Sequence, residues 1–142
     1  MDNARRAAAF YLEDSRDQLA AKLLALCRDD GDRMSVIGVF PECGQEYAER
    51  TEELFRYSSS IGANLTVLYS TQPAAAVLKY AGSHAVTDII ISENDASGAA
   101  RLFEKMLPEV SVTLVPPDSG SFSLFAPGFF AARADAARML RV

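Results

Sequence analysis

Residues 86–103, VTDIIISENDASGAARLF, carry the side chains best suited to gripping an anion. Three isoleucines run into a polar turn that contains Ser92, Asn94, Asp95, Ser97 and Gly98, and a helical stretch follows. A phosphate cradle forms where small residues let backbone N–H groups converge on oxygens at a helix N-terminus. Ser92 and Ser97 add hydroxyl donors, and Gly98 adds backbone freedom. Phe40 and Pro41, which close a second apolar run, are expected to line the same crevice. Glu93 and Asp95 oppose the chemistry, because two carboxylates repel a triphosphate unless a metal bridges them. The expectation is a vestigial nucleotide site at Phe40, Pro41, Ser92, Ser97 and Gly98. No resident cofactor is expected, and ATP is the one such a site could take.

Other reactive residues point to less. Cys27 and Cys43 form no CxxC pair and read as reduced thiols. Cys43 lies in a turn, with no neighbouring base or cation to lower its pKa. His84, the one histidine, closes a helical segment, where its ring suits the dipole. Glu42, Glu93 and Asp95 could meet at one sheet edge to hold Mg²⁺ or accept a phosphoryl group, as in response-regulator receiver domains. A receiver also wants a paired acid after its first strand and a lysine after its last. Pro41-Glu42 follows residues 34–40, and no lysine ends residues 110–115. No nucleophile–base pair and no metal-ligand spacing emerges, so an enzyme is not expected.

These residues need a scaffold. A chain of 142 residues with 49% hydrophobic and 23% charged content suits one core that is stable without staples. A net charge of −5 without a dense Lys/Arg cluster argues against a nucleic-acid partner. No apolar run reaches the roughly 20 residues a membrane span needs. Acidic residues interrupt the N-terminal region before a signal core forms, so a cytoplasmic location is expected.

Hydrophobic spacing predicts helices over 4–28 (with a break at a Ser15-Arg16-Asp17-Gln18 capping box), 45–61, 73–84, 96–107 and 128–140. Short apolar runs at 34–40, 64–70, 87–91 and 110–115 predict strands buried on both faces, as in a parallel sheet. Gly62 suits a left-handed helix cap and Pro73 a first helical turn. Asn94 or Asp95 is expected to cap the helix over 96–107. Strands alternating with helices give a doubly wound α/β domain. The expected organisation is an N-terminal helical segment over 1–33, the α/β domain over 34–117, and a Phe-rich tail over 118–142.

The stretch MSVIGVFPECGQEYAERTEELFRYSSSIGANLTVLYS resembles the opening β-α-β of universal stress protein domains. VLKYAGSHAVTDIIIS resembles the helix and strand that follow, in the version found in KdpD-type potassium-sensing histidine kinases. The resemblance implies the adenine nucleotide alpha hydrolase-like architecture. It also implies a trimmed four-stranded sheet in the order 2-1-3-4, with 64–70 at an edge. Nucleotide-binding members carry a Gly-x-x-Gly turn after the corresponding strand and a second Gly-Ser or Gly-Thr farther on. Ser92 and Asp95 stand at the two glycine positions here. Ser97-Gly98 and Arg101-Leu102 match, but the distal turn is absent.

The resemblance therefore implies a degenerate, non-enzymatic regulatory or interaction module in signalling or stress response. Family members often pair through the last strand, which implies a homodimer, or docking to a protein partner. The expected interface is Val110, Val112 and Leu114, joined by Phe125, Phe129 and Phe130. The alternative is a small-ligand sensor that binds an adenine nucleotide at the carboxyl edge of the sheet.

Overall fold

A computed structural model describes residues 4–118. Five strands and four α-helices alternate along them: β1 (Arg6–Phe10), α1 (Arg16–Leu26), β2 (Arg33–Phe40), α2 (Ala48–Ser60), β3 (Asn64–Tyr69), α3 (Pro73–Ser83), β4 (Asp88–Ser92), α4 (Ala99–Met106) and β5 (Ser111–Val115). All pairings are parallel, and the sheet runs β3-β2-β1-β4-β5. Ala7, Ala9, Val36 and Ile90 face Leu19 and Leu23 of α1 and Leu54 and Tyr57 of α2. Ala8, Phe10, Ile37, Ile89 and Ile91 face Val77 of α3 and Phe103 of α4. A sheet sealed on both sides needs strands that are apolar throughout, which is why β4 reads as an isoleucine run.

The helix expected over 4–28 is corrected in its opening part. Arg6–Phe10 is a strand, and the helix begins at Arg16. Alanine is the strongest helix former, but Ala7, Ala8 and Ala9 are no more than 1% exposed between two helical layers. Tertiary burial overrides the local preference. The four expected strands keep their relative order, with β1 inserted between 34–40 and 87–91. The sheet is therefore not trimmed, since its middle strand comes first in the chain. β3 lies at an edge, as expected.

Local signals elsewhere hold. Gly62 adopts φ 76° just after α2, and Pro73 opens α3. Gly38 lies under α2, and a Cβ there would approach Leu54 Cδ1 to 2.6 Å. The side-chain cap expected from Asn94 or Asp95 is absent: α4 starts after Gly98, which is itself left-handed at φ 80°. The expected helix at 128–140 lies outside the described residues.

Candidate functional site at the carboxyl edge of the sheet

Parallel α/β sheets take ligands beyond the carboxyl ends of their strands. Here that edge carries Tyr11–Ser15 after β1, Pro41–Gly44 after β2, Glu93–Gly98 after β4 and Pro116–Asp118 after β5. β1 separates the two strands expected to flank the crevice. Phe40 and Pro41 therefore stand across β1 from Ser92, Ser97 and Gly98. Phe40 is buried and stacked on Tyr47 at 4.9 Å, while Pro41 is exposed. Strand β4 carries Ser92 to a buried position beside Ser15 from the β1–α1 turn. Their hydroxyl oxygens are 2.6 Å apart.

Proton counting orients this contact. Ser15 Oγ also lies 3.2 Å from Asp14 Oδ1, and an ionised carboxylate only accepts. Ser15 therefore spends its one hydrogen on Asp14, and Ser92 donates to Ser15. The Ser92 oxygen in turn accepts the backbone N–H of Asn94 at 3.1 Å. The side-chain amide of Asn94 donates to Asp14 Oδ2 at 2.8 Å. The ring closes on itself: amide, hydroxyl, hydroxyl, carboxylate, amide. Ser97 spends its hydroxyl similarly, on Asp95 Oδ2 at 2.6 Å.

A second carboxylate occupies the start of α1. Asp118 accepts the N–H groups of Asp17 at 3.1 Å and Gln18 at 3.0 Å, and its own N–H donates to the carbonyl of Asp14 at 2.7 Å. Ser15 is the N-cap residue but makes no side-chain cap bond. Asp118 thus takes the role expected of the Ser15 capping box. Burial pushes the Asp118 carboxyl above its ordinary range, against the lowering effect of the two amide bonds. Beside it, burial pushes the Tyr11 phenol up to about 12. Tyr11 meets Tyr57 edge to face at 5.0 Å, and the Tyr57 hydroxyl donates to the carbonyl of Arg16 at 2.5 Å.

Sequence reasoning missed Asp14, Ser15 and Asp118 at this edge. The signal was present as an apolar run, Ala7–Phe10, that ends in Glu13-Asp14-Ser15 before a helix. Asp118 gives no local signal, because its partners lie a hundred residues away in the chain. Cys43 is exposed in the β2–α2 turn. Among the described residues, no group of three or more His, Cys, Asp or Glu side chains stands close enough to hold a metal. No helix among them is long and apolar enough to cross a membrane.

Of the expected interface, Val110 is buried in the protein's own core, Val112 is partly buried and Leu114 is 52% exposed. Phe125, Phe129 and Phe130 lie outside the described residues.

No protein-family description and no curated protein matches the chain. Among solved structures, a universal stress protein from Archaeoglobus fulgidus, in complex with dAMP, superposes with a TM-score of 0.53 at 16% identity, over 83% of this chain and 100% of that one. The likeness is one of fold: a five-stranded parallel sheet between two helical layers, of the universal stress protein kind.

Proposed function

We propose that this chain is a non-enzymatic regulatory or interaction module whose nucleotide edge is closed by its own carboxylates. One observation carries the reading: the ring of Asn94, Ser92 and Ser15, whose two hydroxyls are buried, ends on the exposed carboxylate of Asp14. A phosphate needs free donors, and here the donors already serve an internal anion. Asp118 does the same at the start of α1. An incoming phosphate would have to displace a covalently tethered carboxylate, which is always present at high local concentration.

Work is then left to the surfaces. Among the described residues β5 pairs only with β4, which leaves its outer edge as the place where another strand would add, the usual route to sheet extension. Leu114, half exposed on that strand, supports self-association or docking to a signalling partner there. Light scattering after size-exclusion chromatography is expected to show a concentration-dependent dimer that Leu114→Lys disperses. A strict monomer removes self-association as the mechanism.

A second reading is an adenine-nucleotide sensor. It draws support from the dAMP held by the protein of similar fold. Melting curves with ATP, ADP, AMP and dAMP separate the two. Unchanged melting supports the closed edge, whereas a rise of several degrees that Ser92→Asp abolishes establishes the sensor.

A further inference from the structure

The opposite, amino edge of the sheet holds two adjacent cations that form no ion pair among the described residues. Arg6 opens β1 and Arg33 opens β2, and the two are direct register partners on adjacent parallel strands. They share the face that carries Ala8, Ser35 and Ile37, the side covered by α3. Neighbouring strands lie only about 4.8 Å apart, and like charges placed side by side destabilise a sheet. On the other face the same edge is balanced: Arg5 reaches Asp88 at 3.3 Å. Arg6 and Arg33 belong to no ion pair among the described residues.

Both arginines line a cleft of about 140 Å³ with Ser35, Tyr80, His84 and Val86. Among the described residues no Asp or Glu lines it. The polar groups there are rich in donors. The Arg6 guanidinium has no hydrogen-bond partner among the described residues. Among the described residues Arg33 commits only Nη1, to the carbonyls of Asp30, Gly31 and Asp32 at 3.2–3.5 Å, and the carboxylates of Asp30 and Asp32 do not line the cleft. Tyr80 accepts from Thr66 at 3.2 Å, so its own hydroxyl hydrogen is available. The His84 ring stacks on Tyr80 at 4.1 Å with Nδ1 against the Tyr80 carbonyl at 2.9 Å. A carbonyl only accepts, so Nδ1 carries a proton, and Nε2 of the neutral ring is an acceptor that adds no donor to the cleft.

We propose that this cleft binds a small phosphate group, either inorganic phosphate or the phosphate of a small metabolite whose remainder stays in solvent. Guanidinium groups match phosphate oxygens in charge and geometry. The volume is on the order of ten times the 10–15 Å³ that one water needs, and below the roughly 300 Å³ at which pockets for larger ligands begin. The carbonyl end of α3 opposes an anion, so binding rests on both arginines acting together.

The test is a titration followed by amide resonances in two-dimensional NMR, with inorganic phosphate and with methyl phosphate, at ionic strength held constant with sodium chloride. Saturable shifts at the amides of Arg6, Ser35 and Thr87 are expected. Affinity should fall at least about tenfold in Arg6→Gln and in Arg33→Gln, and stay unchanged in Arg101→Gln on the exposed face of α4. Tighter binding of methyl phosphate assigns the site to a phosphorylated metabolite, and equal or weaker binding assigns it to free phosphate. Equal shifts with chloride alone, shifts that never saturate, or full affinity in either cleft variant overturn the proposal. The spectra also report that each variant is folded. The site lies at the opposite edge from the Ser15–Ser92 ring, so its failure leaves the closed-edge reading untouched.

Discussion

Replacing Asp118 tests whether the carboxyl edge is held shut from within. The Asp118 carboxylate accepts two first-turn amides of α1, at 3.0 and 3.1 Å. Loss of a helix cap costs about 0.5–2 kcal/mol, and loss of a negative charge at a helix start about 0.3–1 kcal/mol more. Part of this is offset, because the raised pKa means that burial already penalises the charge. Asp118→Ala should therefore destabilise by about 1–2 kcal/mol, or a fall of roughly 3–8 °C in Tm for a domain of this size. Asp118→Asn retains an acceptor oxygen and should lose less. The pH dependence gives an independent check. A carboxyl whose folded pKa exceeds its ordinary 3.8 binds its proton more tightly in the folded state. Its stabilising effect is complete below the ordinary pKa and is lost as pH rises through the folded value. The stability of the native protein relative to Asp118→Asn should therefore increase on acidification through that window. Urea denaturation followed by circular dichroism between neutral pH and the acid range measures both effects. An Asp118→Ala variant within about 0.5 kcal/mol of the native protein, the range of an ordinary surface change, refutes the capping argument.

Three further outcomes follow from the packing. Ala8→Leu in β1 should cost about 1–3 kcal/mol by overpacking the core layer that also holds Val77 and Phe103, measured by chemical denaturation, whereas a helical, half-exposed position would tolerate it. Gly38→Ala sets a methyl 2.6 Å from Leu54 Cδ1 and should destabilise by about 1 kcal/mol or more. Combined with Leu54→Val, it should cost less than the sum of the two singles, read from a double-mutant cycle. Spectrophotometric titration should find the Tyr11 phenol ionising near 12. Because that pKa is raised, the stability it contributes persists below 10 and is lost as pH climbs from 10 through 12, and Tyr11→Phe should remove that part of the alkaline instability.

Most of the architecture was legible because buried parallel strands announce themselves. Ile89–Ile91 and Val36–Ile37 are β-branched runs bounded by turn residues, and Pro73 and Gly62 mark helix ends by geometry alone. β1 was not legible. Five residues of which three are alanine carry little strand propensity, and only contact with helices on both faces makes small side chains a requirement. A helix over 4–28 gives Asp14 and Ser15 no place at the carboxyl edge, where the strand Arg6–Phe10 puts them. The turn at Ser92–Gly98 was correctly located, but its hydrogen-bond partners arrive from the β1–α1 turn, and Asp118 arrives from beyond β5. Pairings of that range are set by topology, which local pattern does not encode. The Arg6–Arg33 pair was hidden for the same reason, since its meaning depends on strand register.

The position of β1 also bears on how the chain assembles. Its contact with β2 spans Arg6–Phe10, but its contact with β4 spans only Ala7–Ala9, and Asp88 must be synthesised before that seam can close. Until then β1 has β2 as its one available sheet partner, and long-range closure of this kind is slow. A strand's flank presents backbone donors and acceptors, and its alanines add little strand propensity to that edge. The residues that conceal the strand from a reader thus also lower the risk that the unfinished sheet recruits the wrong neighbour during synthesis.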